Sequence, residues 1–383
     1  MEFSFTPQEK AFRAELCRFL VGELPGEPGP LSDEEYYSLA RRVRNELGSR
    51  GWLTLGWPQE YGGEGAASIK DLILQEELAY HGVPRGNDHA THLVGPLIIS
   101  YGTEAQRERH LEALAKGEEW WCLGFTEPMA GSDLAGIRTM AVPQGDFYIL
   151  NGQKDYVAWA HESGWCHLLA RTEECASGTE GITYFLLDMK SPGIFLNPFV
   201  TMTGRTLCEI FLDDAKVSGE NVLGEVGGGW QIASEALKAA RTGIEYSGWA
   251  RRILDLVMEH VGSARAKGDG GFTRPVVRYK LAEAAIDIEV GRLLSYRSAW
   301  LWNVGGLEAQ HSALSKLFGA EMCQRVSRTA MEVAGLHGQG VGSGGLKAAI
   351  QDFYMESLAG TIYLGSSEVQ RNIIATRGLG LAS

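Results

Sequence analysis

The sequence predicts an α+β chain, and three observations carry that reading. Apolar residues recur at helical spacing in the first and last thirds of the 383 residues, strand-like runs sit between them, and a glycine cluster, Gly227-Gly228-Gly229, marks the second change of texture. Strands gathered in one stretch, not alternating with helices, separate this pattern from a doubly wound α/β chain. The expected organisation is an N-terminal helical domain over 1–118, a β domain over 119–226 and a C-terminal helical bundle over 227–383. More than one sub-domain is also what this length demands of a chain with limited core size.

The elements follow in order. Phe12, Leu16, Phe19 and Leu20 recur at the spacing of one helical face. Ser32-Asp33-Glu34-Glu35 reads as a helix start with acids in the first turn. Asp71 to Tyr80 and Glu104 to Lys116 are two further helices, with loops at Gly62-Gly63-Glu64-Gly65 and from His81 to Asp88. The texture changes near Trp120. Phe147 to Leu150 reads as a strand, with Asn151-Gly152 as a hairpin-type turn after it. Ile182 to Leu187 and Glu209 to Leu212 are further strands. In the last third, Ile253, Leu256, Val257 and Val261 form one apolar stripe, and Leu281, Ala284, Ala285, Ile288 and Val290 another.

Composition narrows the function. Hydrophobic residues make up 44%, ordinary for a globular chain. A net charge of -13 argues against nucleic acid or an anionic membrane as the main partner, yet leaves room for a phosphorylated cofactor held by a local cluster of donors. No apolar run is long enough to span a bilayer, and Met1 to Thr6 lacks the basic segment and apolar stretch of a signal peptide. Six scattered cysteines with no CxxC fit reduced thiols in a cytoplasm better than disulfides or zinc. His89 and His92 are close in sequence, but nothing else at ligand spacing joins them, so they read as loop histidines and no metal is expected.

No GxGxxG follows a strand, and neither GxxxxGK[ST] nor GxSxG is present. Two segments instead are dense in small and polar residues. Gly124-Phe125-Thr126-Glu127-Pro128-Met129-Ala130-Gly131-Ser132-Asp133-Leu134-Ala135-Gly136 offers hydroxyls and backbone amides to a polar or anionic ligand, though it also reads as an ordinary connecting loop. Tyr363-Leu364-Gly365-Ser366-Ser367-Glu368-Val369-Gln370-Arg371 starts a helix with Ser366 or Ser367 as cap, its N-terminus free to face a ligand or simply capped.

Together and in this order, the two segments resemble the acyl-CoA dehydrogenase family. Asn151-Gly152-Gln153-Lys154, Glu220-Asn221-Val222-Leu223-Gly224 and Gly229-Trp230 fall where that family has such residues, so the resemblance covers nearly the whole chain. It implies a helical domain, a β domain and a four-helix bundle. FAD would lie between the last two, partly held by a second subunit of a homodimer or homotetramer. It also implies an acyl-CoA substrate and an electron-transfer flavoprotein as partner. Thr126 would meet the flavin edge, Ser132 the pyrophosphate, and Tyr156 would stand in for a tryptophan wall. Ser366 and Glu368 would replace a Thr and a Gln that touch FAD, and Gly335 and Gly338 would let the adenosine end approach backbone. Ala158 replaces a flavin-contacting Thr. Phe272 and Arg274 are weak stand-ins for a Phe and an Arg of the family pattern.

The family's base, a Glu just before Gly365, is here Leu364. A minority of the family carries it instead just before an Arg on the helix after Gly229-Trp230; that Arg is Arg241, and Ala240 precedes it. Both positions lack a carboxylate, while the backbone N–H of residue 364 remains as a donor to the thioester oxygen. Arg241, Tyr363 and Leu364 would border the substrate. Asp88 and Glu245 are the candidate relocated bases; each also has a plain reading, as a solvated turn Asp and an exposed helix Glu. With Asp88 as base, the resemblance points to the diene-forming branch: a 1,4-elimination on a ring such as cyclohex-1-ene-1-carboxyl-CoA. Alternatively there is no base, and the chain is a subunit of a hetero-oligomer of the steroid side-chain type. A flavin reductase or DNA-protective flavoprotein is a third option, and the acidic charge counts against the DNA version.

Overall fold

The structure is a computed structural model that describes residues 4–24, 31–65, 69–84, 89–173, 178–239, 243–266, 274–335 and 345–382. Helices α1 (Pro7–Glu23), α2 (Asp33–Ser49), α3 (Ile69–His81), α4 (Gly95–Tyr101) and α5 (Glu104–Lys116) come first. The strands are β1 (Trp121–Gly124), β2 (Met140–Gln144), β3 (Phe147–Ala158), β4 (Trp165–Arg171), β5 (Ile182–Asp188), β6 (Ile194–Val200), β7 (Thr206–Ser218) and β8 (Val222–Leu223). Helices α6 (Gly229–Ala239), α7 (Ile244–Ala266), α8 (Pro275–Asn303), α9 (Ala309–Ala334), α10 (Gly345–Gly360) and α11 (Ser367–Ile373) follow. The expected helical, β, helical order is therefore present.

By packing, the chain divides into two compact units. One takes Met1–Leu39, Gly65–Pro84 and Arg241–Ser383; the other takes Ala40–Glu64 and Arg85–Ala240. The first 118 residues are thus shared between them.

The second unit is built on an eight-stranded mixed sheet, ordered β6-β7-β3-β2-β4-β5-β8, with β1 parallel to β4 beside that path. Its sheet core includes Leu150, Val157, Phe185 and Ile210, and Trp57, Trp121, Trp165 and Tyr184 pack with helical side chains in a neighbouring core. One expectation fails here. Asn151-Gly152 is no hairpin turn: β3 runs straight through it, and the β2–β3 turn is Gly145-Asp146, with Gly145 at φ 62°. The Asn151-Gly152 pair makes a bulge against β7 instead. Asn151 Nδ2 donates to Asp214 Oδ1 at 3.0 Å, and the Asp214 N–H donates back to Asn151 Oδ1 at 2.9 Å. Gly152 sits at φ 155°, and a Cβ there would lie 2.5 Å from Thr139 Oγ1, so only glycine fits.

The first unit is helical. Leu16 and Leu20 of α1 are fully buried, as that helix's apolar spacing predicts, while Phe19 is half-buried. Ile253 and Val257 of α7, Leu281, Ala284 and Ile288 of α8, and Val326 and Ala330 of α9 share one core. Ala285 and Val290 are exposed, so the stripe on α8 is narrower than its composition suggested. Across α1, α3 and α8, buried Glu76 accepts from Arg13 Nη2, Arg292 Nε and the Tyr296 hydroxyl, each at 2.9 Å. A carboxylate removed from water is tolerable only with such partners. Among the described residues no helix is long and apolar enough to cross a membrane.

Candidate functional site

In the sheet unit, the loop leaving β1 is pinned at both ends. The Asp155 N–H donates to the Thr126 carbonyl at 2.8 Å, leaving the half-buried Thr126 hydroxyl at the loop's entry. Glu127, 7% exposed, makes a 2.7 Å ion pair with fully buried Lys154 of β3 and accepts from the N–H groups of Arg138 and Thr139 at 2.6 and 3.0 Å. Burial alone would push Glu127 up and Lys154 down. The ammonium and the two N–H donors instead hold the Glu127 carboxyl below its ordinary range, while burial keeps Lys154 below its own. Arg171, at the end of β4, closes the loop's far side: its guanidinium donates to the carbonyls of Ala135, Ile137, Gly178 and Glu180 at 2.5 to 2.9 Å. Between these anchors Ser132 is exposed.

Tyr156 lies on β3 where the strand is bulged against β7. It is 66% exposed and held at φ 54°, edge-on to Phe199 at 5.9 Å. Trp159, at φ 65°, is a second aromatic residue in this left-handed region, which disfavours residues with a Cβ. An exposed aromatic ring held on strained backbone suits a wall for a flat ligand. Ala158 is exposed and offers no side-chain hydrogen bond, as expected.

The second small-and-polar segment lies in the helical unit. Leu364 adopts φ 53° and Gly365 φ 95°, a sharp turn between α10 and α11. Lys316 of α9, 1% exposed, donates to the Gly365 carbonyl at 2.7 Å. Gln370 Nε2 donates to the Leu364 and Gly365 carbonyls at 3.3 and 3.1 Å. Ser366 is the cap, its hydroxyl accepting from the Val369 N–H at 3.3 Å. The exposed Glu368 carboxyl is held below its ordinary range by its own backbone N–H and the Ser366 hydroxyl. Tyr363 packs on the bundle core, and Gly335 ends α9 at φ 55°.

A cleft of about 420 Å³ opens here, lined by Ser366, Ser367, Glu368, Gln324, Arg325 and Arg328 among others. The buried Ser367 Oγ and Gln370 Oε1 have no hydrogen-bond partner among the described residues. Two guanidinium groups, several hydroxyls and the orphaned Ser367 hydroxyl are a donor set for a phosphate-bearing group, while Gln370 Oε1 can only accept. Ser366, Ser367 and Glu368 border this cleft in the helical unit, and Thr126, Ser132 and Tyr156 lie on the loop and strand described above in the sheet unit.

Asp88, Arg241, Gly338 and Phe272 lie outside the described residues. Glu245 is half-buried in the first turn of α7. The described part of the helix after Gly229-Trp230 is Gly229–Ala239, and non-helical Gly243 at φ 75° precedes α7, so Glu245 belongs to the next helix and not to the one expected. His89 and His92 are helical residues rather than loop ones: His89 Nε2 meets the Trp121 carbonyl at 2.7 Å and stacks on His167, and His92 lies in the π-helical turn Ala90–Val94. Sequence reasoning gave no role to Glu127, Lys154, Arg171, Lys316 or Gln370. Lys316 carried a signal, since it shares a helical face with Ala313 and Ala320, where a lysine must find a partner.

Three family models match in succession: the acyl-CoA dehydrogenase N-terminal domain over residues 6–118, the middle domain over 122–215 and the C-terminal domain over 227–379. Acyl-CoA dehydrogenase IpdE1 of Mycobacterium tuberculosis is 34% identical over 383 residues, 97% of each chain. Among solved structures, a protein titled "Tcur3481-Tcur3483 steroid ACAD" aligns over all of both chains with a TM-score of 0.90 and 29% identity. The ChsE4-ChsE5 complex from Mycobacterium tuberculosis does so with a TM-score of 0.89 and 29% identity. The chain belongs to the acyl-CoA dehydrogenase family of FAD-dependent oxidoreductases.

Proposed function

We propose that this chain is the base-less subunit of a hetero-oligomeric acyl-CoA dehydrogenase acting on steroid-like acyl-CoA thioesters. The observation that carries this is Leu364. At the position where the resemblance implies the catalytic Glu, an apolar side chain sits on backbone held at φ 53°. Strain of this kind persists where the surroundings enforce it, here through Lys316 and Gln370 on the adjoining carbonyls. The turn is thus maintained although the carboxylate is gone. In this reading the turn keeps the backbone frame of a thioester-binding site. Bound FAD supplies the acceptor for the hydride leaving Cβ. Dehydrogenation then takes place in the partner subunit's own site, where a carboxylate takes the Cα proton, and electrons leave to an electron-transfer flavoprotein.

The relatives support the two-chain reading, because the structural neighbours named above are titled as pairs and one is called a steroid enzyme. The single-chain reading, with Asp88 or Glu245 as relocated base and a cyclic enoyl-CoA as substrate, competes with it. The test is anaerobic flavin reduction by a steroid carboxylic acid CoA thioester and by cyclohex-1-ene-1-carboxyl-CoA. It is run on the chain purified alone and on the chain co-purified with a homologous subunit that carries the Glu. Bleaching of the pair alone, with the steroid thioester, is expected. Bleaching of a homodimer or homotetramer of this chain by the cyclic ester, lost in Asp88→Asn or Glu245→Gln, would overturn the reading.

A further inference from the structure

A second cluster of chemically able side chains lies in the helical unit, on α1 and α3. Cys17 Sγ, a Glu77 carboxylate oxygen and a His81 ring nitrogen all lie within 4.8 Å of one another. Cys17 Sγ is 3.1 Å from Glu77 Oε2, and His81 Nε2 is 3.4 Å from the same oxygen. Four-coordinate zinc, with bonds of about 2.0 Å to N and O and about 2.3 Å to S, places its ligand atoms roughly 3.3–3.6 Å apart. The two separations to Glu77 Oε2 already stand near those values, and the third pair lies within 4.8 Å.

The placement is rigid. Glu77 and His81 are four residues apart on α3 and so share a face. Arg13 of α1 donates to Glu77 Oε1 at 2.5 Å and to Glu76 at 2.9 Å, which locks α1 against α3 and leaves Oε2 turned to Cys17 and His81. A Cys17 thiolate and the Glu77 carboxylate would offset a divalent ion, with His81 binding as neutral imidazole, and Arg13 would keep a share of Glu76, which also pairs with Arg292. A thiolate–imidazole–carboxylate set favours zinc over calcium or magnesium. Cys17 and His81 are half-buried, so the site is open to ions from solution and a fourth position is left for water.

We infer that Cys17, Glu77 and His81 form a zinc site that clips α1 to α3, independent of the FAD site. The rival is a carboxylate that merely accepts hydrogen bonds from Cys17, His81 and Arg13. The test uses the full-length, FAD-loaded protein stripped with a chelator and titrated with cobalt(II), then with zinc. One equivalent of cobalt should give a sulfur-to-cobalt charge-transfer band that zinc abolishes. Cys17→Ser should remove the band and His81→Gln should weaken zinc binding at least tenfold, both with unchanged flavin content and circular dichroism. Absence of the band, its survival in Cys17→Ser, or unaltered zinc affinity in His81→Gln would overturn the site. The band's survival would assign the metal to another of the six cysteines.

Discussion

At the scale of single residues, Leu364 and Glu127 show two kinds of requirement. Leu364 keeps a backbone shape and lacks a carboxylate. Leu364→Glu is therefore expected not to speed flavin reduction in the assembled enzyme, and to lower stability by about 1–3 kcal/mol where its carboxylate is desolvated. Stopped-flow rates and thermal melts check both, and a faster variant would mark Leu364 as a simple lesion. Glu127 is the reverse case, a charge kept because Lys154 faces it. Removing one partner of a buried pair leaves the other uncompensated, so Glu127→Gln should cost about 3–5 kcal/mol. The sign of its pH dependence follows from its depressed titration. Its contribution is whole above the unfolded carboxyl range near about 4.3 and is lost as pH falls through the lower folded value. Thermal midpoints should drop on acidification below that range in the wild type and less steeply in Glu127→Gln; equal slopes would contradict this. At this scale the sequence was only half legible. The loop motif named Thr126 and Ser132, but nothing local links Glu127 to Lys154, 27 residues away in the chain, because the seating of the loop after β1 against β3 makes that pair.

At the scale of elements, helices were legible where capping and spacing agree. Glu104 to Lys116 is the helix expected, with Thr103 and Gln106 forming its capping box. Asn151-Gly152 misled because the pair favours left-handed backbone in bulges as well as in turns, and only cross-strand packing against Thr139 and Asp214 decides which. Gly152→Ala should accordingly destabilise the fold by at least about 1–3 kcal/mol, measured by denaturant melts, with the loss concentrated in the sheet unit. Arg171 anchors the loop that would hold FAD by donating to four carbonyls from one planar group. Arg171→Leu should weaken FAD binding at least tenfold, or about 1.4 kcal/mol, and Arg171→Lys should restore little of it, since a lysine lacks the forked donors. Equilibrium dialysis against FAD measures this; undiminished affinity in Arg171→Leu would show that the loop holds its shape without the arginine.

At the scale of the whole molecule, the order of helical, β and helical regions was readable from periodicity, but the packing units were not. Contacts such as Glu76 with Arg292 join residues 216 positions apart, which no sliding window reports. Family membership follows from the complete span of matching domains, and the chemistry of the individual chain turns on one residue. The most direct measurement is anaerobic flavin reduction of the FAD-loaded chain, alone and paired with a Glu-bearing homologous subunit, by a steroid carboxylic acid CoA thioester. The account predicts a yellow protein that does not bleach alone and does bleach as the pair. Rapid bleaching of the chain alone, abolished by Asp88→Asn, would contradict it and place the base within this chain.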